Sequence, residues 1–170
     1  ALPAISCAAA EKQGLDVLTC CSACYSRLKQ ANAELQGDPA LLAQVNQVIE
    51  EDYKGGIRVL HVAEVLAREI GLDAIRARVT RPLKGLKVAS YYGCLLARLP
   101  EKLRIDKVEY PTLLDDLMAA TGAEPVDWPC KTECCGAALT LAMQDTVVRL
   151  SGGILQAAKE CGADALAVAC

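Results

Sequence analysis

Short apolar segments alternate with helical segments along most of the chain, and this alternation constrains the fold more than any other feature. The segments near residues 15–19, 57–60, 86–91 and 165–169 are rich in Val, Leu, Ile and Ala, and helical stretches separate them. Strands separated by helices predict βαβ units and a parallel sheet. Phe is absent although 53% of the residues are apolar, so the core must be mainly aliphatic, which is typical of buried parallel strands. We therefore predict an α/β fold of parallel sheets with flanking helices.

Charge and hydropathy argue against two classes of protein. The 18 basic and 21 acidic residues give a net charge of −3, which lacks the basic excess of a nucleic-acid-binding protein. No apolar run approaches the length of a membrane span, and the first residues do not follow the pattern of a signal peptide. We therefore expect a cytoplasmic protein that binds no nucleic acid and has no direct membrane span.

The chain contains ten cysteines, an unusually high number for an aliphatic domain of 170 residues. Disulfide-rich secreted domains are usually smaller and poorer in apolar residues. The adjacent pairs Cys20-Cys21 and Cys134-Cys135 also fit disulfide geometry poorly, because neighbouring cysteines rarely reach it without strain. Clustered thiols in an intracellular chain are more often metal ligands or redox groups. With a single His present, a metal site must consist mainly of thiolates, which favour zinc or iron–sulfur clusters.

Three cysteines follow predicted strands closely. Cys21, Cys94 and Cys170 lie just after the segments that end near Thr19, Tyr91 and Ala169. Ligands of parallel α/β sheets bind beyond the carboxyl ends of the strands. We therefore expect these thiols to gather at one edge of a sheet.

The most specific motif is Cys134-Cys135-Gly136, which presents two adjacent thiols in one tight turn. A helix predicted over about 138–160 places its positive N-terminal end near them, which favours the thiolate form. Two adjacent thiolates can bind different irons of one cluster but suit a single tetrahedral zinc badly. The Cys21–Cys24 pair has the more common Cys-x-x-Cys spacing, which serves either metal.

Two distant segments of the chain are similar to each other. Residues 8–18 lead to Cys21 through a helix, a glycine, an x-Asp step and an apolar strand, and residues 156–166 lead to Cys170 in the same way. A duplication would explain the similarity. The chain would then begin late in one repeat and end late in the next. We therefore predict a fragment of a longer protein. Its two related halves are residues 1–84, the C-terminal part of a first domain, and 85–170, most of a second.

These motifs together resemble the B subunit of heterodisulfide reductase, a member of the CCG family of cysteine-rich domains. The resemblance covers nearly the whole chain and lies in six stretches, namely Thr19–Tyr25, His61–Leu66, Tyr92–Cys94, Pro111–Asp115, Glu133–Gly136 and Cys161–Asp164.

The resemblance implies that each of two CCG domains holds a non-cubane iron–sulfur cluster of the 4Fe–4S type on five cysteines. It assigns four ligands of the second cluster, which would also be the catalytic centre, to Cys94, Cys134, Cys135 and Cys170. Cys21 and Cys24 match the last two ligands of the first cluster. We expect these clusters in the full-length protein, while zinc and a metal-free fragment stay open as alternatives.

The resemblance also implies a function. The family reduces a small disulfide, of the CoM-S-S-CoB type or a bacterial analogue, to two thiols. Electrons come from two partners in a heterodisulfide-reductase-like complex, the iron–sulfur C subunit and the flavin A subunit. One alternative is an electron-transfer subunit of a flavin-dependent glycolate, lactate or succinate oxidoreductase. Another is a zinc-stabilised interaction module.

Other residues of interest are interpreted as structural. Cys7 lies on the apolar face of a predicted helix and Cys161 at a helix end, so both are expected to be packing residues. Cys20 and Cys130 stand beside motif cysteines and are interpreted as bystanders. His61 opens a helix after a strand, where a structural role is favoured over a functional one.

Overall fold

The computed structural model describes residues 1–169 as helices connected by short strands. The strands are Val17–Thr19 (β1), Val59–His61 (β2), Lys87–Tyr91 (β3), Glu124–Val126 (β4) and Ala165–Val168 (β5). The α-helices are Leu2–Lys12 (α1), Ser22–Gly37 (α2), Pro39–Ile49 (α3), Val62–Glu64 (α4), Leu72–Arg78 (α5), Gly93–Ala97 (α6), Leu113–Ala120 (α7) and Gln144–Glu160 (α8). A π-helix covers Val65–Gly71, and 3-10 turns cover Glu101–Leu103 and Ala137–Leu139. No helix within residues 1–169 is both long and apolar enough to cross a membrane.

The strands form two small sheets whose strand pairs are parallel. One sheet pairs β1 with β2, and the other has the order β4-β3-β5 with β3 in the centre. In the second sheet, Ala89 lies opposite Val126 on one side and Leu166 on the other. The prediction of a parallel α/β fold is confirmed, and the carboxyl ends of paired strands lie at the same edge of each sheet.

The central strand β3 is the most deeply buried strand of the second sheet. Val88, Ala89, Ser90 and Tyr91 are all buried, and Ala89 and Ser90 are completely inaccessible to solvent. A strand that is covered on both faces is usually apolar along its length rather than alternating, and Ser90 is the one polar side chain among these four buried residues. This property is what made the segment recognisable from the sequence.

The main core contains side chains from both sides of Lys84. Tyr25 and Val59 belong to the same buried cluster as Leu96 and Leu117. A smaller core lies under α8, where Trp128 packs with side chains of β3 and α8 and donates a hydrogen bond of 3.0 Å to the Ser90 carbonyl. The division into related halves at residues 1–84 and 85–170 stays a prediction.

Helix α8 begins later than predicted. The sequence predicts a helix from about residue 138, whereas the 3-10 turn Ala137–Leu139 comes first and the helix begins at Gln144. Leu141 in the intervening segment is 99% exposed, so no buried apolar face stabilises helical structure there. The positive end of α8 therefore does not directly follow Cys135 in the chain, although Val147 in the first turn of α8 packs close to Gly136, and the support of the thiolates by this helix stays a prediction.

The predicted helix over residues 61–70 also differs in its geometry. Only Val62–Glu64 is α-helical, and the chain continues as the π-helix Val65–Gly71. Gly71 has a φ of +87°, a value that favours glycine, and separates this π-helix from α5. π-Helical turns are rare in proteins, and those that occur are often found at functional sites. The periodicity of the sequence does not distinguish a π-helix from an α-helix.

Candidate metal centre

Cys94 follows the carboxyl end of the central strand β3. Gly93 connects the two with a φ of +68°, and a Cβ atom there would lie 3.4 Å from the Tyr91 ring. The sharp turn therefore depends on glycine and carries Cys94 into the short helix α6 immediately after the strand. The predicted position of this thiol at a sheet edge is what the structure has.

The loop that carries Cys134 and Cys135 is attached to the end of the same strand. The Tyr91 hydroxyl donates a hydrogen bond of 2.8 Å to the Glu133 carbonyl. The Gly136 N–H donates a hydrogen bond of 3.4 Å to the Cys134 Sγ and so fixes the position of this thiol in the turn. Gly136 has a φ of +77°, and a Cβ atom there would approach Leu150 Cδ1 to 3.0 Å, so this turn also requires glycine.

A buried polar network holds this loop against β3 from the other side. The Tyr92 and Gly93 N–H groups donate to the Lys131 carbonyl at 2.9 and 3.2 Å. The Lys131 Nζ lies 3.1 Å from an Asp115 carboxylate oxygen, which also accepts a hydrogen bond of 2.8 Å from the Tyr92 hydroxyl. Sequence reasoning missed this network, because no motif or spacing relates Lys131 to Asp115.

Three of the predicted ligands, Cys94, Cys134 and Cys135, line one cavity of about 110 Å³. Its walls are mostly apolar, and they include Leu95 and the Tyr91 ring. Burial raises the pKa of the Cys94 thiol, and the neighbouring Cys134 side chain raises it further. A metal bound to Cys94 would therefore have to displace a proton from it.

The Cys21–Cys24 pair is built differently, on the first turn of the long helix α2. Cys21 is the N-cap residue, and its Sγ accepts the Cys24 N–H at 3.5 Å. Thr19 fixes the turn, since its Oγ1 accepts the Cys21 N–H at 3.1 Å and donates to the Cys21 carbonyl at 3.0 Å. Hydrogen bonds from Cys24 lower the pKa of Cys21, whereas the Cys21 side chain raises the pKa of Cys24.

Ser22 connects the two groups of thiols. It stands between Cys21 and Cys24 in sequence, and it is also among the residues that line the cavity of Cys94. The Ser22 hydroxyl donates a hydrogen bond to the carbonyl of Ala169, just beyond β5. The Cys21 turn therefore adjoins both the Cys94 cavity and the carboxyl end of β5.

The donor set fits an iron–sulfur cluster in its chemistry. The metal-binding atoms around the cavity are thiols without a carboxylate or imidazole, and Cys134 and Cys21 each receive an N–H contact. Within residues 1–169, no three His, Cys, Asp or Glu side chains are close enough together to hold one metal ion. Cys170, the fourth predicted ligand, lies outside the described residues. The roles of the six cysteines as ligands stay a prediction.

The four remaining cysteines differ in how deeply they are buried. Cys7 is fully buried in the main core, as expected for a packing residue. Cys161 follows α8 as an exposed residue, so the expectation that it packs in the interior was wrong. Its position after the last helical turn directs it to solvent. Cys20 is exposed, and Cys130 is half-buried against the core around Trp128.

Comparison with known proteins agrees with these features. Residues 88–170 match the cysteine-rich domain family CCG. The chain is 41% identical over 130 residues to the B subunit of the ferredoxin/F(420)H(2)-dependent CoB-CoM heterodisulfide reductase of Methanosarcina acetivorans, covering 75% of this chain and 43% of that protein. It is 38% identical to the B subunit of the ferredoxin:CoB-CoM heterodisulfide reductase of Methanosarcina mazei over the same shares.

A third relative belongs to another kind of complex. The chain is 30% identical over 166 residues to the 8-methylmenaquinol:fumarate reductase membrane anchor subunit of Wolinella succinogenes, covering 96% of this chain and 57% of that protein. The chain thus spans about half the length of these relatives. The resemblance stated from the sequence motifs is confirmed.

Proposed function

Because residues 88–170 match the cysteine-rich domain family CCG, we propose that this chain is part of an iron–sulfur subunit that reduces a disulfide to two thiols. Its relatives are subunits of reductase complexes, which supports electron transfer within a larger assembly. The observation that carries the proposal is the position of Cys94, Cys134 and Cys135 around one cavity beyond β3. The Cys21–Cys24 turn adjoins that cavity through Ser22, so two sets of thiols are available for two clusters.

The proposed reaction consumes two electrons and two protons for each disulfide. A cluster bound to Cys94, Cys134, Cys135 and Cys170 would supply iron that can bind thiolate sulfur. It would also pass electrons to the disulfide after receiving them one at a time. The side chains of the cavity would hold that cluster, orient it through the Gly136 turn and exclude water with their apolar surfaces. No side-chain acid would be obligatory, because solvent can supply the two protons that convert the product thiolates to thiols.

We expect the electrons to come from an iron–sulfur C subunit, which receives them from a flavin A subunit. The substrate would be a small disulfide of the CoM-S-S-CoB type or a bacterial analogue. Two relatives, which are CoB-CoM heterodisulfide reductase subunits, support the substrate class, and the partner subunits follow from the resemblance of the sequence motifs. The cytoplasmic location also stays a prediction.

The similarity to the fumarate reductase protein favours a second candidate function. It extends over 96% of the chain, a larger share than the 75% that matches the two heterodisulfide reductase proteins. In this alternative the cysteines hold clusters that relay electrons to or from a flavin-dependent fumarate or succinate oxidoreductase. No disulfide would then be a substrate.

The decisive experiment measures iron, zinc and acid-labile sulfide in the full-length protein, together with its electron paramagnetic resonance spectrum and its disulfide turnover. We expect iron and sulfide, and we expect Cys135→Ala to reduce cluster content and turnover together. Cys161→Ala is the matched control, because Cys161 is an exposed cysteine outside the cavity.

Zinc without sulfide would favour the interaction module. Turnover only with a flavin partner would favour the electron relay, and full iron content with full activity in Cys135→Ala would exclude the assignment.

A further inference from the structure

A second cavity lies beside the carboxyl end of β2. It has a volume of about 280 Å³, and its apolar walls come from α7, α5, the π-helix and the end of β5. Among residues 1–169, the polar side chains of its lining are those of Cys20, His61 and Thr121. The Thr121 hydroxyl is already used, since it donates a hydrogen bond of 2.6 Å to the Met118 carbonyl. The cavity is therefore an apolar space with few polar groups available to a ligand.

His61 is the polar residue of this cavity that lacks a partner. The residue is only 1% exposed, and its Nδ1 accepts the Ala63 N–H at 3.2 Å as the cap of α4. An Nδ1 that accepts a hydrogen bond leaves the ring proton on Nε2. Within residues 1–169, the buried Nε2 has no hydrogen-bond partner. The carbonyls of Ala169 and Cys20 lie near enough to favour the protonated ring, but neither accepts a hydrogen bond from Nε2.

A buried donor without a partner is costly, and few remain in native proteins. Burial lowers the pKa of His61, which keeps the ring neutral and retains a single N–H for a ligand. The Tyr25 ring packs edge-on against the imidazole at 5.5 Å between centroids and holds its orientation. The ring is thus a fixed, neutral donor at an apolar cavity.

We propose that this cavity binds a small apolar molecule with a carbonyl oxygen, and that the His61 Nε2–H donates a hydrogen bond to that oxygen. Apolar pockets with a few placed polar groups are the usual form of small-molecule sites. Two sources share this chemistry, namely a quinone ring and the acyl chain of an amide. The lining of this cavity shares no residue with the lining of the Cys94 cavity.

The test compares three probes on the full-length protein by isothermal titration calorimetry. The probes are 2,3-dimethyl-1,4-naphthoquinone, octanamide and 2,3-dimethylnaphthalene. The methyl groups of the quinone block addition of protein thiols to the ring, and the naphthalene has the same shape without a carbonyl oxygen. We expect one carbonyl probe to bind at least about tenfold more tightly than the hydrocarbon, as a hydrogen bond to a buried donor provides. Preference for the quinone or for octanamide identifies the source.

Two variants of His61 isolate the hydrogen bond. His61→Asp keeps a side-chain oxygen to cap Ala63, and His61→Phe keeps a ring, but neither offers an N–H group to a ligand. Both variants should bind the hydrocarbon as the wild type does and lose the preference for the carbonyl probe. Ile75→Trp, which narrows the cavity at a half-buried position, should weaken binding of all three probes.

Circular dichroism establishes that each variant is folded, and the comparison of probes on the wild type needs no variant at all. Absence of saturable binding to the wild type would overturn the proposal. Equal affinity of the wild type for the carbonyl probes and the hydrocarbon would also overturn it, as would an unchanged preference in both His61 variants.

Discussion

The Cys21 turn and the Cys94 cavity carry the same thiol group, but the protein shifts the pKa values of these two thiols in opposite directions. The Cys21 turn lies at the exposed start of α2, where N–H groups lower the pKa of the Cys21 thiol. The Cys94 cavity lies beyond the buried strand β3, where desolvation raises the pKa of the Cys94 thiol. Local hydrogen bonds therefore set the chemistry of the first region, whereas burial sets that of the second. The pKa of a thiol in this fold can thus be set either by hydrogen bonds within a local turn or by packing against residues that are distant in sequence.

The largest effect is expected at the buried pair that supports the second region. Asp115→Leu leaves Lys131 buried without its partner, and we expect a loss of about 3–5 kcal/mol in the free energy of unfolding, measured by urea denaturation. The double variant Asp115→Leu/Lys131→Met should recover most of that loss. Asp73→Asn breaks the exposed Arg76–Asp73 pair and should change stability by less than about 1 kcal/mol. Equal losses in the two single variants would show that the Cys94 region does not depend on this network.

The next effect separates two glycines that differ in backbone conformation. Gly136→Ala forces a side chain into a φ of +77° and within 3.0 Å of Leu150, so we expect a loss of about 1–3 kcal/mol in urea denaturation. Gly152→Ala is the matched control, because it lies in α8 with nothing within 4 Å of the added Cβ, and it should stabilise the protein by about 0.5–1 kcal/mol. A neutral Gly136→Ala would mean that the Cys134–Cys135 turn tolerates another backbone conformation.

A third prediction concerns the reactivity of the two thiols in protein that has been stripped of metal. The lowered pKa of Cys21 places its thiolate at lower pH than an ordinary cysteine, and the raised pKa of Cys94 places its thiolate at higher pH. As pH rises, Cys21 should therefore react with iodoacetamide first. Below the ordinary thiol pKa its thiolate fraction should therefore exceed that of Cys94. Peptide mass spectrometry measures both rates, and a faster reaction at Cys94 would reverse the comparison.

The smallest effect is expected at Thr19, which supports only the first region. Thr19→Val removes the hydroxyl that bonds to both backbone groups of Cys21, and we expect a loss of about 0.5–1.5 kcal/mol in urea denaturation. Thr140→Val removes an exposed hydroxyl with one backbone partner and serves as the control with a smaller loss. If iodoacetamide reacts equally fast with Cys21 before and after Thr19→Val, the turn does not depend on this hydroxyl.

Sequence reasoning succeeded where a residue's position depends on its immediate neighbours. Cys94 was predicted at a sheet edge because the apolar run of β3 directly precedes it, and the structure has it there. The parallel pairing of β3 with β4 and β5 followed from the alternation of strands and helices. Such features need only a local pattern and a general rule of topology.

Sequence reasoning failed where tertiary packing decides the outcome. The start of α8 depends on whether residues 138–143 find a buried surface, and the exposed Leu141 shows that this segment does not. The Lys131–Asp115 pair requires that α7 pack against the loop that contains Lys131, and no local pattern in the sequence predicts that contact. The orphaned Nε2 of His61 likewise became visible only when the surrounding walls were in place.

The hydrogen bond from Ser22 to Ala169 has a consequence for the order of assembly. It joins positions 147 residues apart, so the environment of the first thiol pair is completed by a residue just beyond the distant strand β5. Contacts between such distant positions are slow to form, because the chain must close a long loop before any stabilisation is gained. We therefore expect the early turn to form in two stages, first from its own hydrogen bonds and later by docking of β5. In the interval between these stages its thiols would be open to reagents from solvent.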